Sequence, residues 1–136
     1  MAKQSVQYKP AGFNFGAFQF VNATGSAVST IKSAGTNDSV VKALVVTSDD
    51  VSDQHLQIIV HDGSTNHVVD TINIPAGAGT NGTDAAVNAL AGAWLPLDAE
   101  GKKVLPLKQG CTLKAAMSGA VTSAKKVTVA AIVEDF

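Results

Sequence analysis

The sequence predicts an all-β chain: a single-domain antiparallel β-sandwich with one short helix in a crossover loop and an extended N-terminal arm. Three observations predict it. Short β-prone runs recur at intervals of about 8–15 residues with turn chemistry between them, the spacing of a sandwich or barrel. Several runs alternate apolar and polar residues with period two, and one segment alone carries a helical period. A chain of 136 residues suits one domain and removes roughly two-thirds of its surface from water on folding.

The elements follow in chain order. FNFGAFQF holds Phe13, Phe15, Phe18 and Phe20, four of the five phenylalanines. Extended backbone puts Phe13 and Phe15 on one face, Gly16 is able to bend or bulge the chain, and Phe18 and Phe20 share the next face. Two readings stay open: the segment fills the core as a first strand, or residues 1–16 form an arm whose aromatics dock on a partner. The division is then an arm over 1–16 and a β-sandwich over 17–136. AFQFV (17–21), AVSTIKS (27–33) and SVVKALVVTS (39–48) read as strands ending at NATG, AGTND and DDVSD.

HLQIIVH (55–61) and HVVDTINI (67–74) flank DGSTN and read as a β-hairpin. Leu56, Ile58 and Val60 alternate with Gln57, Ile59 and His61; in the partner, Val68, Asp70, Ile72 and Ile74 share one parity. After Gly82, Thr83 is placed to cap a short helix from Asp84, with Val87, Leu90, Ala91 and Trp94 at i, i+3, i+4 and i+7. KVLPL (103–107), CTLKAAM (111–117) and KVTVAAIV (126–133) complete the set. Pro96 and Pro106 cannot donate to a ladder, so both Leu-Pro-Leu arms belong at a sheet edge or outside it.

Composition narrows function. Charged residues are 15% of the chain, below the roughly 25% of ordinary soluble domains, and the net charge is −1. All ten cationic side chains are lysine. Without arginine's planar fork, reading of nucleic acid and most phosphoryl-transfer chemistry are disfavoured. Cys111 is the only cysteine, which excludes an intrachain disulfide and reads as a small buried hydrophobe. MAKQSVQYKP lacks a signal-peptide core and no run is long enough to span a bilayer, so the expectation is a soluble protein with no membrane partner.

The chemical motifs are weak in context. Gly77-x-Gly79-x-x-Gly82 has the spacing of a pyrophosphate loop, with Asp98 and Glu100 downstream. That spacing has meaning only inside a βαβ unit, which the alternation of hairpins does not supply. The glycines read as a long connection, with Asn81-Gly82 able to take positive φ. His61, His67 and Asp62 gather at one hairpin base with His55 nearby, yet a third strong zinc ligand is not identifiable. Asp49, Asp50 and Asp53 read as turn formers. No catalytic residue, cofactor or metal is expected. The candidate interface residues are Tyr8, Phe13, Phe15, Phe18 and Trp94.

AGTNDSVVKALVVTSDD, then LQIIVHDGSTNHVVDTINIPAGAGTNG, then Leu-Pro-Leu, then GCTLKAAMSGAVTSAKKVTVAAIVEDF together resemble small virion structural proteins of tailed bacteriophages, over about residues 34–136. The resemblance implies a jelly-roll-like sandwich that decorates or cements the capsid by binding the major capsid protein. It also implies a homo-oligomer, dimer or trimer, at the capsid surface of the virion, synthesised in the host cytoplasm. A tail or baseplate protein shares the same composition. A carbohydrate-binding module is a third reading, with few aromatic platforms to stack sugars.

Overall fold

The computed structural model describes residues 12–33 and 35–136. Nine strands form among the described residues: β1 (Gly12–Val21), β2 (Ser29–Lys32), β3 (Ser39–Ser48), β4 (Gln54–His61), β5 (Asn66–Ile74), β6 (Val87–Asn88), β7 (Leu105–Leu107), β8 (Thr112–Met117) and β9 (Lys126–Asp135). They make two antiparallel sheets. One has the order β1-β9-β3-β6, with β7 also on β3; the other runs β2-β8-β4-β5. The pairs are nested, β1 with β9, β2 with β8, β3 with β6 and β7, and β4 with β5. The chain is thus a long hairpin, folded at the β4–β5 turn and rolled so that alternate pairs enter opposite sheets.

Period-two patterning places the core between the sheets. Phe20, Val41, Leu44, Val46, Val127, Val129, Ala131 and Val133 face inward from the first sheet; Ile31, Leu56, Ile58, Ile74, Leu113, Ala115 and Met117 face them from the second. Phe18 packs edge-on against Phe20, with ring centroids 4.8 Å apart. The β4–β5 hairpin forms where expected, but its register shifts between Ile58 and Ile59. This bulge exchanges the faces of β5, so Val69 packs on the core and Val68 is exposed.

Two expectations are corrected. The segment after Gly82 is not a helix, because β3 takes its backbone into a ladder. Asn81 Oδ1 accepts the Thr83 and Asp84 N–H groups, each at 2.8 Å, and Val87–Asn88 pair with β3 instead. Ala89 N–H then donates to Leu44 O at 2.8 Å. Nor does Gly16 bulge β1, whose register with β9 runs unshifted from Gly12↔Asp135 to Val21↔Lys126. Gly16 marks a close approach: a Cβ there would lie 2.3 Å from Ile31 O of β2.

The loops at one end of the sandwich are tied by Asp50, whose side chain is buried. Its Oδ1 accepts Thr122 Oγ1 at 2.8 Å and Ser52 N–H at 3.0 Å; its Oδ2 accepts Thr122 N–H and Gln54 Nε2, each at 2.9 Å. Burial alone would raise its pKa, but these donors outweigh it and hold the carboxyl at about 2.

Candidate association surface

Exposed apolar side chains gather on the outer face of the first sheet. With no bulge in β1, the three-residue step from Phe15 to Phe18 changes parity, so Phe13 and Phe15 point outward and Phe18 and Phe20 inward. Phe13 is 69% exposed and Phe15 70%. Phe15 stands opposite Ile132 of β9, which in turn stands opposite Ala43 of β3; the next row is Ala17, Ala130 and Val45. Ile132 is 46% exposed and Val45 39%, so a contiguous apolar band crosses three strands. Bands of this kind on a soluble domain mark interaction sites.

Charge frames the band. A β-bulge between Val41 and Ala43 inserts Lys42, and its Nζ lies 3.7 Å from both Asp98 and Glu134. Asp98 Oδ1 also accepts the Glu100 and Lys102 N–H groups, each at 2.9 Å. The Lys102 N–H bond, that from Glu100 and the charges of Lys42 and Lys102 hold its carboxyl below the usual range against a smaller effect of burial. A shallow groove of about 480 Å³ beside the band is lined by Lys42, Ala43, Val45, Asn88, Leu90 and Lys103 among others. At the start of β1, the Asp135 carboxylate accepts Ser39 Oγ at 2.6 Å and the Asn14 amide, and lies 4.0 Å from Lys32 Nζ. These contacts, Ser39 foremost, lower its pKa.

The structure separates the expected interface residues. Phe13 and Phe15 share the open face, whereas Phe18 is half-buried against the core. Trp94 lies on the opposite flank: it follows β6, and Gly92 beside it would carry a Cβ 3.2 Å from Asp70 of β5. Tyr8 and the rest of 1–11 lie outside the described residues; 12–16 form the first half of β1. Sequence reading missed Ala43, Val45, Ala130 and Ile132 as surface. The signal was there in VVKALVV and VTVAAIV, where both parities are apolar.

The other motifs resolve into turns. Asp62 Oδ1 accepts the Ser64 and Thr65 N–H groups at 2.8 Å, and Oδ2 meets His67 Nε2 at 2.8 Å. The bonds from Thr65, His67 and Ser64 hold its carboxyl well below the usual range. His61 Nδ1 accepts the Gly63 N–H at 3.1 Å. Gly77, Gly79 and Gly82 all have φ between +71° and +76°. Their loop turns onto the end of β3, with Gly77 N–H donating to Asp50 O and Gly79 N–H to Asp84 O. The chain thereby leaves the second sheet at β5 and crosses to the first at β6.

No family model matches the chain, and no curated protein matches it significantly. Among solved structures it is similar to a pentameric capsid protein isolated from metagenomic phage sequences, at 23% identity over 90% of this chain with a TM-score of 0.40. The chain spans 60% of the length of that protein. It is also similar to the capsid asymmetric unit of cyanophage Pam1, at 16% identity over 100% of this chain and 93% of that one, with a TM-score of 0.47. Likenesses this distant do not say what the chain does, which has to be read from its own surfaces.

Proposed function

We propose that the chain is a non-catalytic structural protein of a bacteriophage virion, with a jelly-roll sandwich that decorates the capsid shell and stabilises it by binding the major capsid protein. The observation that carries this reading is the uncovered apolar band of Phe13, Phe15, Ile132 and Val45, a face suited to another protein. The nested pairing of strands supports the jelly-roll assignment, an architecture used by capsid and lectin domains alike. Fold does not choose between those uses, so the band and the resemblance over residues 34–136 carry the choice. In this reading residues 1–16 act as the partner-binding arm, and its described part, 12–16, supplies the two rings.

A decorating protein works by burying surface across neighbouring shell subunits, so that opening the shell must first break those contacts. A specific interface of this kind buries upward of about 1,000 Å², and by linkage its binding stabilises the assembled shell. Phe13→Ser with Phe15→Ser is expected to lower occupancy on purified shells at least about tenfold, a loss of roughly 1.4 kcal/mol, while the isolated domain keeps its melting temperature within a few degrees. Occupancy measured by co-sedimentation checks it. Unchanged occupancy would remove the band from the interface, and a copy number of a dozen or fewer per virion would move the protein to the tail or baseplate.

A further inference from the structure

We infer that the free edge of β1 pairs antiparallel with β1 of a second copy of this chain, joining the two outer sheets into one across a two-fold axis. The inference stands on the edge itself and does not depend on binding to a shell. Natural sheets protect their edges with charge, proline, brevity or cover. Three edges here are protected: β2 has four residues with a bulge and Lys32, β5 carries His67 and Asp70, and the far edge of the first sheet is filled by β6 and by β7 with Pro106. Among the described residues β1 has none of these. Its ten residues, GFNFGAFQFV, contain no charge and no proline, run unshifted along β9, and have no backbone ladder on their other side among the described residues.

Why a second copy fits is a matter of parity, charge and area. A two-fold axis perpendicular to the sheet keeps outward residues outward, so it pairs residues of like parity. Centred on Ala17, it sets Phe13 against Val21 and Phe15 against Gln19 of the second copy, with no charged pair in the joint. Behind these pairs stand Glu134, opposite Phe13, and Lys126, opposite Val21. Antiparallel pairing therefore sets the acidic end of one copy by the basic end of the other, whereas parallel pairing would set like beside like. Lys42 and Lys102 offset Asp98 and Glu134 at that end, so the complementarity is local to Glu134 and Lys126. The separation of three strand spacings, about 14 Å, exceeds the Debye length at physiological salt, so the attraction orients encounter only at low ionic strength.

The edge strand is about 34 Å long and about 10 Å deep, so the ladder removes roughly 700 Å² from both copies. The Phe13 and Phe15 rings beside the joint bring the total to roughly 1,000 Å², the lower bound of a specific interface. A dimer with a Kd on the order of micromolar is therefore expected.

Sedimentation equilibrium of the full chain tests it. The wild type should dimerise, and Ala17→Lys, which puts two ammonium groups together at the axis on an exposed site, should raise Kd at least about tenfold. Ala17→Glu should do the same alone, and mixing the two variants should restore a dimer within about threefold of wild-type affinity. Recovery on mixing also shows that both variants are folded. A monomeric wild type at about 100 μM, well above the expected Kd, would overturn the inference. So would a dimer indifferent to Ala17→Lys, or an open polymer in place of a closed pair.

Discussion

Asp50→Ala is expected to lower the unfolding free energy at neutral pH by about 3 kcal/mol or more, read from the denaturant midpoint at constant m. The carboxylate is buried and accepts four hydrogen bonds, from Thr122 twice, Ser52 and Gln54. Alanine removes four hydrogen bonds to a carboxylate at once, two of them from the part-buried Thr122 N–H and Gln54 amide, and hydrogen bonds to a charged group contribute more than neutral ones. The loss also unties two loops 72 residues apart in sequence. Asp53→Ala is the control: Asp53 is exposed and caps only Ala76 N–H, at 2.9 Å, so a change below about 1 kcal/mol is expected. Equal effects at the two positions would remove Asp50 from its structural role.

The same residue sets a pH dependence whose sign is fixed. Its carboxyl moves from 3.8 to about 2 on folding, so the folded state favours the ionised form. That stability is fully present above the unfolded value and is lost as pH falls toward 2; a drop of just under two pH units corresponds to about 2–3 kcal/mol. Asp62, Asp98 and Asp135 are also depressed and add slope of the same sign. The wild type should therefore lose stability between about pH 4 and pH 2 faster than Asp50→Ala does. Parallel curves for the two proteins would contradict the assignment.

The strands were legible where a local pattern met a local cause. SVVKALVVTS is β3 residue for residue, and the DGST turn is closed by Asp62 within its own hairpin. Pro106 sits in a strand at the sheet's far edge, as the missing N–H requires. What could not be read was decided by distant partners. The heptad-like spacing of Val87, Leu90, Ala91 and Trp94 lost to β3, which takes Val87 and Asn88 into its ladder. The faces of Val68 and Val69 were exchanged by one bulged residue, which a strict alternation cannot express. Asp50 read as one of three turn acids, because nothing near it in sequence announces Thr122. The association surface was half legible: Phe13 and Phe15 stood out by type, while Ile132 and Val45 became surface only because β9 and β3 are neighbours and the outer face is uncovered.

Gly16→Val is expected to destabilise the domain by about 3 kcal/mol, and Gly16→Ala by about 1–3 kcal/mol, although neither removes a side-chain contact. Glycine is needed here for closeness, since its φ is not in the left-handed region. An added Cβ would lie 2.3 Å from Ile31 O and 3.2 Å from both Ile31 C and Lys32 Cβ. The obstruction is backbone, which cannot swing aside as a side-chain end would. Relief requires β1 and β2 to separate, yet β1 is fixed by ten pairs along β9 and β2 is held on β8. It also requires Phe20 of β1 and Ile31 of β2, both buried in the core, to loosen. Thermal melts of Gly16→Ala beside Ala17→Ser, the exposed neighbour, separate the close approach from a general intolerance of β1. A Gly16→Ala melt within a degree of wild type would mean that the strands part without cost.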